Sequence, residues 1–391
     1  MKPLSFENTE IAFQSKTRKE LNKSYWIFKL ISNNSIVKIS IKLLRIAFFL
    51  KLPIKSIIKH TIFKQFCGGE SIENCNDRVK SLAKYNIGTI LDYSVEGKSR
   101  DEDFDRVTNE TIRTILKAKV NENIPFTVFK ISGIAPIKLL EKVNNSKNEL
   151  NEHEKLQLKK LNERVNNICK TAHKNNVRIF IDAEESWIQN TIDDIAINMM
   201  RKFNRKKAIV FNTIQMYRWD RLAYLKQCYA DSENANYYLG LKIVRGAYMQ
   251  IERERAKKMG YASPIQKNKA SCDKDYNLAL NFCVKNIDKI TFCAGTHNEE
   301  SSMLLTQLMS QNNINKNDQR VYFSQLLGMS EHISYNLSKY KFNVAKYMPY
   351  GPVKDVIPYL IRRADENTSI TGQTGRELGL IPYKDRDHAL Y

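Results

Sequence analysis

The chain holds seven cysteines, Cys67, Cys75, Cys169, Cys228, Cys272, Cys283 and Cys293, and no C-x-x-C pair among them. An odd, scattered set in 391 residues argues against a secreted disulfide framework and against a cysteine metal site; reduced thiols in a cytosol-like compartment are expected. No apolar run reaches the ~18 residues that a spanning helix needs. The first residues carry Glu7 and Glu10 and no apolar core of the kind that marks a leader peptide. No H-E-x-x-H is present, "HNEE" at His297 being the nearest approach, and no metal is expected. A serine or cysteine nucleophile elbow is also missing. No G-x-G-x-x-G follows an apolar run; the nearest match, "GQTGRELG", follows a helical pattern, so a Rossmann site is disfavoured.

What is abundant is positive charge. Against 42 Asp and Glu stand 63 Lys and Arg, a net +21. That balance suits nucleic acid or an anionic membrane. The chain is also rich in Asn and Ile, a joint bias that an AT-rich gene produces without selection for binding. No zinc-finger, helix-turn-helix or RNP-type pattern appears, so nucleic acid is not an expected partner and stays a rival reading only. Hydrophobic residues make up 42%, enough for a sizeable core. From Leu21 to Gly69 there are nine Lys or Arg and no acid, with Ile, Leu and Phe interleaved at helical spacing. Such a segment either lies on an anionic membrane surface or packs as a basic helix on the main domain.

Beyond residue 80 short β-branched runs recur: "IGTILDYS", "PFTVFKIS", "VRIFIDAE", "AIVFNTIQ", "LGLKIVRG", "KITFCAGT", "RVYFSQLLG" and "NVAKYMPYG". Each precedes a segment of helical character. Buried parallel strands read as continuous apolar runs and need helical crossovers. Eight such units predict a (β/α)8 barrel of TIM type over 81–391, with an N-terminal helical arm over 1–80. The polar stretch from Asn144 to Asn176 reads as an extended second crossover of helical character.

Barrel chemistry sits where strands end. Lys130 closes the second run, Asp182 the third and Gln215 the fourth. Lys242 and Arg245 close the fifth, followed by Tyr248; Thr296 and His297 close the sixth, Gln325 the seventh and Tyr347 the eighth. On the last crossover Tyr359, Arg362, Arg363 and Glu366 fall at i, i+3, i+4 and i+7 and share one face. That stripe is either a solvated surface or a bidentate clamp for a small carboxylate or phosphate. The cationic excess favours an anionic ligand, a phosphate-bearing cofactor, or both. Lys130 could alternatively form a Schiff base, as in an aldolase-type lyase.

The stretches "GLKIVRGAYMQIERERA", "DKDYN", "GTHNEES", "FSQLLGMSEHISYNLSKY" and "AKYMPYGPVKDVIPYLIRRADENTSITGQTGRE" resemble the flavin-dependent proline dehydrogenases. "FENTEIAFQSKTRKELNKSYWIFKLISN" and "FKQFCGGES" resemble the N-terminal arm of the monofunctional members. The resemblance covers nearly the whole chain and implies a distorted (β/α)8 barrel with FAD over its strand ends. It implies oxidation of L-proline to Δ1-pyrroline-5-carboxylate, electrons passing to a membrane quinone, and a Δ1-pyrroline-5-carboxylate dehydrogenase on a separate chain, since this one is too short to hold both. An enzyme peripheral to the inner face of the cell membrane is the implied setting. By position Arg362 and Arg363 clamp the proline carboxylate with Lys130, and Tyr248, Tyr347 and Tyr359 line the ring pocket. Glu366 pairs with the arginines or faces FAD, and Asp182 holds Lys130 or a polar edge of the site. Thr213, Gln215, Lys242, Arg245, Gly246, Thr296, His297 and Asn298 are the implied FAD contacts, with Asp182 and Glu366 beside them. Lys242 stands where many members carry arginine, and Cys272 where threonine is common.

Overall fold

A computed structural model describes residues 3–50, 53–95, 100–146, 149–369 and 373–381. The arm is helical: α1 (Thr9–Phe13), α2 (Arg18–Ile31), α3 (Asn34–Phe49), α4 (Lys55–Ile58), a π-helical turn, α5 (Lys64–Phe66) and α6 (Asn76–Ala83). The barrel begins with β1 (Ile87–Tyr93), α7 (Asp101–Lys119) and β2 (Phe126–Phe129). The second crossover is extended and helical, as expected, and consists of two helices, α8 (Ile137–Ser146) and α9 (Glu152–Lys174). Asn151 explains the break: with Glu154 it forms a reciprocal capping box that starts a new helix. Then follow β3 (Arg178–Ile181), α10 (Ser186–Phe203), β4 (Val210–Gln215), α11 (Arg221–Asn234) and β5 (Leu239–Val244). Two helices, α12 (Met249–Met259) and α13 (Lys269–Lys285), lead to β6 (Ile290–Gly295), α14 (Glu299–Gln311), β7 (Val321–Leu326) and α15 (Glu331–Lys339). The chain closes with β8 (Val344–Tyr350), α16 (Val353–Ser369) and α17 (Gln373–Leu380).

The strands form one closed parallel barrel in sequential order, β8 returning to pair with β1. All eight apolar runs became strands, so the (β/α)8 expectation holds. The period of two along each strand divides the barrel interior into layers. Phe180 and Phe211 point into one layer with Phe126 and Tyr322. The Phe126 and Phe180 rings stack at 4.5 Å between centroids, and Tyr322 meets Phe126 edge-on at 4.9 Å. Gly240 makes room for this plug, because a Cβ there would lie 2.4 Å from the Val210 carbonyl oxygen and 2.9 Å from Phe211. Two residues further along the same strands stand Asp182, Thr213 and Lys242, so a polar layer rests on an aromatic floor.

The arm folds back onto the end of the barrel that carries α16. In α2 the face Ser24, Ile27, Phe28 and Ile31 is buried, at i, i+3, i+4 and i+7. It joins Phe63, Phe66, Val353, Val356, Tyr359 and Leu360 in a second core cluster. The arm therefore supports the helix that bears the arginine pair. The opposite side of the arm leaves Trp26, Leu30, Ile39, Leu43 and Ile57 exposed. Among the described residues no helix is long and apolar enough to cross a membrane.

Candidate active site

A cavity of about 240 Å³ opens at the C-terminal ends of the strands. Lys130, Asp182, Thr213, Gln215, Lys242, Arg245, Gly246, Tyr248, Thr296, His297, Tyr347, Tyr359, Arg362 and Arg363 all line it. Fourteen residues from six strand–helix units thus meet at one place, as the strand-end rule predicts. Tyr347 lies in the middle of β8, level with Leu326 and Ile90, rather than at its end. One expected residue, among those described, is not found there. Asn298 caps α14, its side-chain oxygen accepting the Ser301 amide at 2.7 Å, which takes that amide group away from the cavity. Glu366 is carried on α16, but its side chain falls outside the described residues.

Asp182 engages Lys242 in an ion pair and accepts the Tyr347 hydroxyl at 2.5 Å. Of the two expected roles, Lys130 or a polar edge of the site, these contacts correspond to the second. All three residues line the same cavity, which brings the carboxylate between the ammonium and the phenol. The Lys242 ammonium lies 5.1 Å from the Phe180 ring centroid and 4.9 Å from that of Tyr347, so the pair sits directly on the aromatic floor. Burial, then the neighbouring Asp182 and Asp92 carboxylates, push the Tyr347 phenol well above its usual range, so it stays a hydrogen-bond donor.

Arg245 is fully committed. Nε donates to Asp273 at 2.7 Å, Nη1 to Thr296 at 2.6 Å and Nη2 to Ser301 at 2.9 Å. Its guanidinium lies 4.3 Å from the Tyr276 ring centroid. The next residue must be glycine: Gly246 has φ +135°, and a Cβ would meet the Tyr217 ring at 2.5 Å. Thr213 donates to the Ile181 carbonyl at 2.8 Å. Gln215 is 2% exposed, and its Oε1 has no hydrogen-bond partner among the described residues. A buried amide oxygen left this way in a cavity wall calls for a donor from a ligand. His297 is pushed down to about 3, first by burial and then by Lys346, Arg363, His332 and Arg245, so the ring is neutral.

The arginine pair is not a solvated stripe. Arg363 is 8% exposed and lies 5.0 Å from the Tyr359 ring centroid, and half-buried Arg362 lies 6.0 Å from Tyr248. Tyr359 is buried against the arm, so packing fixes the platform on which Arg363 rests.

Several wall residues were not singled out in the sequence. Asp92 ends the first run and is buried beside Ser94, which donates to it. The strand-end rule would have found it had it been applied to β1. Ser324 and Met329 also line the cavity but carry no distinctive spacing. Lys346 is completely buried just outside the barrel wall, donating to the Met329 carbonyl at 2.5 Å and pairing with Glu331 at 3.5 Å. Glu184, one residue beyond the cavity wall, accepts the Ser132 amide at 2.9 Å and is raised to about 7, chiefly by burial.

A sequence profile of proline dehydrogenases matches residues 75–376. Proline dehydrogenase 1, mitochondrial, of Dictyostelium discoideum is 34% identical over 409 aligned residues, covering 93% of this chain and 72% of that protein. The carbapenem biosynthesis protein CarD of Pectobacterium carotovorum is 32% identical, covering 81% of each chain. Among solved structures, proline utilization A of Bdellovibrio bacteriovorus superposes with a TM-score of 0.73 at 19% identity. That match covers 97% of this chain and 41% of the larger protein, a likeness of fold. With a profile matched across every strand of the barrel, the chain belongs to the proline dehydrogenase family.

Proposed function

We propose that the cavity binds L-proline beside FAD and oxidises the amino acid to Δ1-pyrroline-5-carboxylate. The observation that carries this reading is the arginine pair: two guanidinium groups from consecutive residues enter the cavity, one of them buried on a tyrosine. A planar guanidinium grips a carboxylate through two parallel hydrogen bonds, which fixes the orientation of the small ring behind it. Lys130 adds a third cation on the same wall. Tyr359 and Tyr248, each beneath one guanidinium, give the ring apolar surfaces to pack on, and Tyr347 closes the floor.

The donor set fits FAD. Arg245, held rigid by three partners, supplies charge for a diphosphate, while Thr213, Gln215, Lys242, Gly246, Thr296 and neutral His297 offer the mixed donors and acceptors that a flavin's polar edge and sugar chain require. The unpartnered Gln215 oxygen is one acceptor that such a group would satisfy. Asn298 contributes by shaping the start of α14, and Glu366 is assigned to the arginines or the flavin side by the family resemblance alone. When bound, a flavin supplies a hydride acceptor for the C–H bond next to the ring nitrogen. The residues' part is to aim that bond and to keep water out. The rival lyase reading asks for a Schiff base on Lys130, and family membership weighs against it.

Residues 1–80 act in this reading as the arm and 81–391 as the catalytic domain. The arm's exposed Trp26, Leu30, Ile39, Leu43 and Ile57 lie in the acid-free stretch, a combination suited to the surface of an anionic membrane. Such docking would bring the cavity to a membrane quinone, and the product would pass to a Δ1-pyrroline-5-carboxylate dehydrogenase on another chain. The cofactor assignment is tested by titrating flavin-free protein with FAD and, separately, with NAD. Quenching of flavin fluorescence at stoichiometric FAD is expected, with no NAD binding; the reverse preference would overturn it.

A further inference from the structure

The helix α17 holds a pair of adjacent side chains that line no part of the cavity yet grip the surroundings of His297. Glu377 is 4% exposed, and its carboxylate accepts the Ser330 backbone amide. Ser330 Oγ in turn lies 2.8 Å from His297 Nδ1. Beside it Arg376 donates through Nε to Glu299 at 2.8 Å and through Nη2 to the same carboxylate at 3.2 Å, and it also reaches Glu7. Glu299 Oε1 lies 3.1 Å from His332 Nε2. Two consecutive residues therefore fasten the β7–α15 turn, the start of α14 and the N-terminal segment together around one imidazole.

The turn needs such a fastening. Ser330 adopts φ +51° and ψ +47°, a left-handed conformation that residues with a side chain rarely take. It is the N-cap of α15 and makes no side-chain cap bond, its hydroxyl being directed to His297 instead. Its carbonyl accepts the amides of Ile333 and Ser334, both at 3.1 Å, so the residue is tied to α15 on one side and to α17 on the other. A neutral imidazole has one N–H and one bare nitrogen, and the partner of Nδ1 decides which of them the other nitrogen presents.

We propose that Glu377 is a positioning residue that, through Ser330, sets the tautomer and orientation of His297 in the flavin-binding wall, while Arg376 ties the adjoining start of α14 to the same helix through Glu299. This rests on the FAD reading above for its consequence but not for its geometry. Two measurements separate them. The first is the ¹⁵N NMR tautomer signature of His297 in flavin-free protein, assigned by its loss in His297→Asn. A single tautomer is expected in the unmodified protein and in Glu377→Gln, whose amide oxygen still accepts the Ser330 N–H. Mixed or inverted tautomers are expected in Ser330→Ala and in Glu377→Leu. The second is FAD affinity by fluorescence quenching, expected to weaken about tenfold in those two variants, the loss of one hydrogen bond, and to recover in Glu377→Gln. Arg376→Lys should retain more of the affinity than Arg376→Ala. If Ser330→Ala and Glu377→Leu keep the native tautomer, or alter it without changing FAD affinity, the proposal fails. If Glu377→Leu does not fold, Ser330→Ala, which removes a single oxygen, decides alone. If the unmodified protein binds no FAD, the cofactor reading fails while the NMR arm still accepts or rejects the latch.

Discussion

Replacing Arg363 by Met separates the clamp from the packing that surrounds it. The arginine stem and the methionine side chain have similar length, so contact with Tyr359 is largely kept while the planar fork is lost. A hydrogen bond to a charged group contributes about 1.5–3 kcal/mol, and about 1.4 kcal/mol is a factor of ten. Arg363 is buried, so little solvent screening reduces this figure. Proline binding should weaken by about ten- to a hundredfold, read as a rise in KM with a matching fall in kcat/KM. Arg363→Lys should restore only part of it, since a point charge cannot form two parallel bonds. Arg362→Met should show the smaller effect of the two, because Arg362 is half-buried and more screened. Bound flavin, measured by absorbance, should stay near that of the unmodified protein. An unchanged KM for proline in both Met variants, with normal flavin, would refute the clamp.

Three further outcomes are expected. Asp182→Asn leaves the buried Lys242 ammonium without its carboxylate and should destabilise the protein by about 3 kcal/mol, seen as a lower Tm and recovered in part by the double variant with Lys242→Met. His297 is held down to about 3 against an ordinary value of 6.5, so between those pH values the unfolded chain binds the extra proton. Stability from this group is full above pH 6.5 and is lost as pH falls toward 3; denaturant titrations of His297→Asn should show a shallower acid limb over that window. Trp26→Glu with Leu30→Glu should abolish co-sedimentation with anionic liposomes while leaving proline turnover in detergent unchanged, and equal binding to neutral liposomes would remove the membrane reading.

The fold was legible because it rests on repetition. Eight apolar runs with helical intervals have few other arrangements, and the strand-end rule then located most of the cavity wall without coordinates. Partnerships were less legible than positions. That Asp182 serves Lys242 depends on how β3, β5 and β8 are staggered around the barrel, which no local pattern records. Asn298 lies next to His297 in sequence, yet the demand of a helix start for a cap claims its side chain. The burial of Arg363 was equally hidden, because it arises from the arm, some three hundred residues earlier, packing over Tyr359. The contact of Glu377 with Ser330 joins two segments separated by α15, β8 and α16, none of which gives a hint of it.

The visible spectrum of FAD-reconstituted protein, followed under anaerobic conditions as L-proline is added, tests the proposed reaction most directly. The flavin bands should bleach stoichiometrically, with Δ1-pyrroline-5-carboxylate formed in equal amount, and D-proline or a proline amide lacking the carboxylate should leave them largely intact. A protein that takes up no flavin, or whose bound flavin stays oxidised in the presence of L-proline, would contradict it.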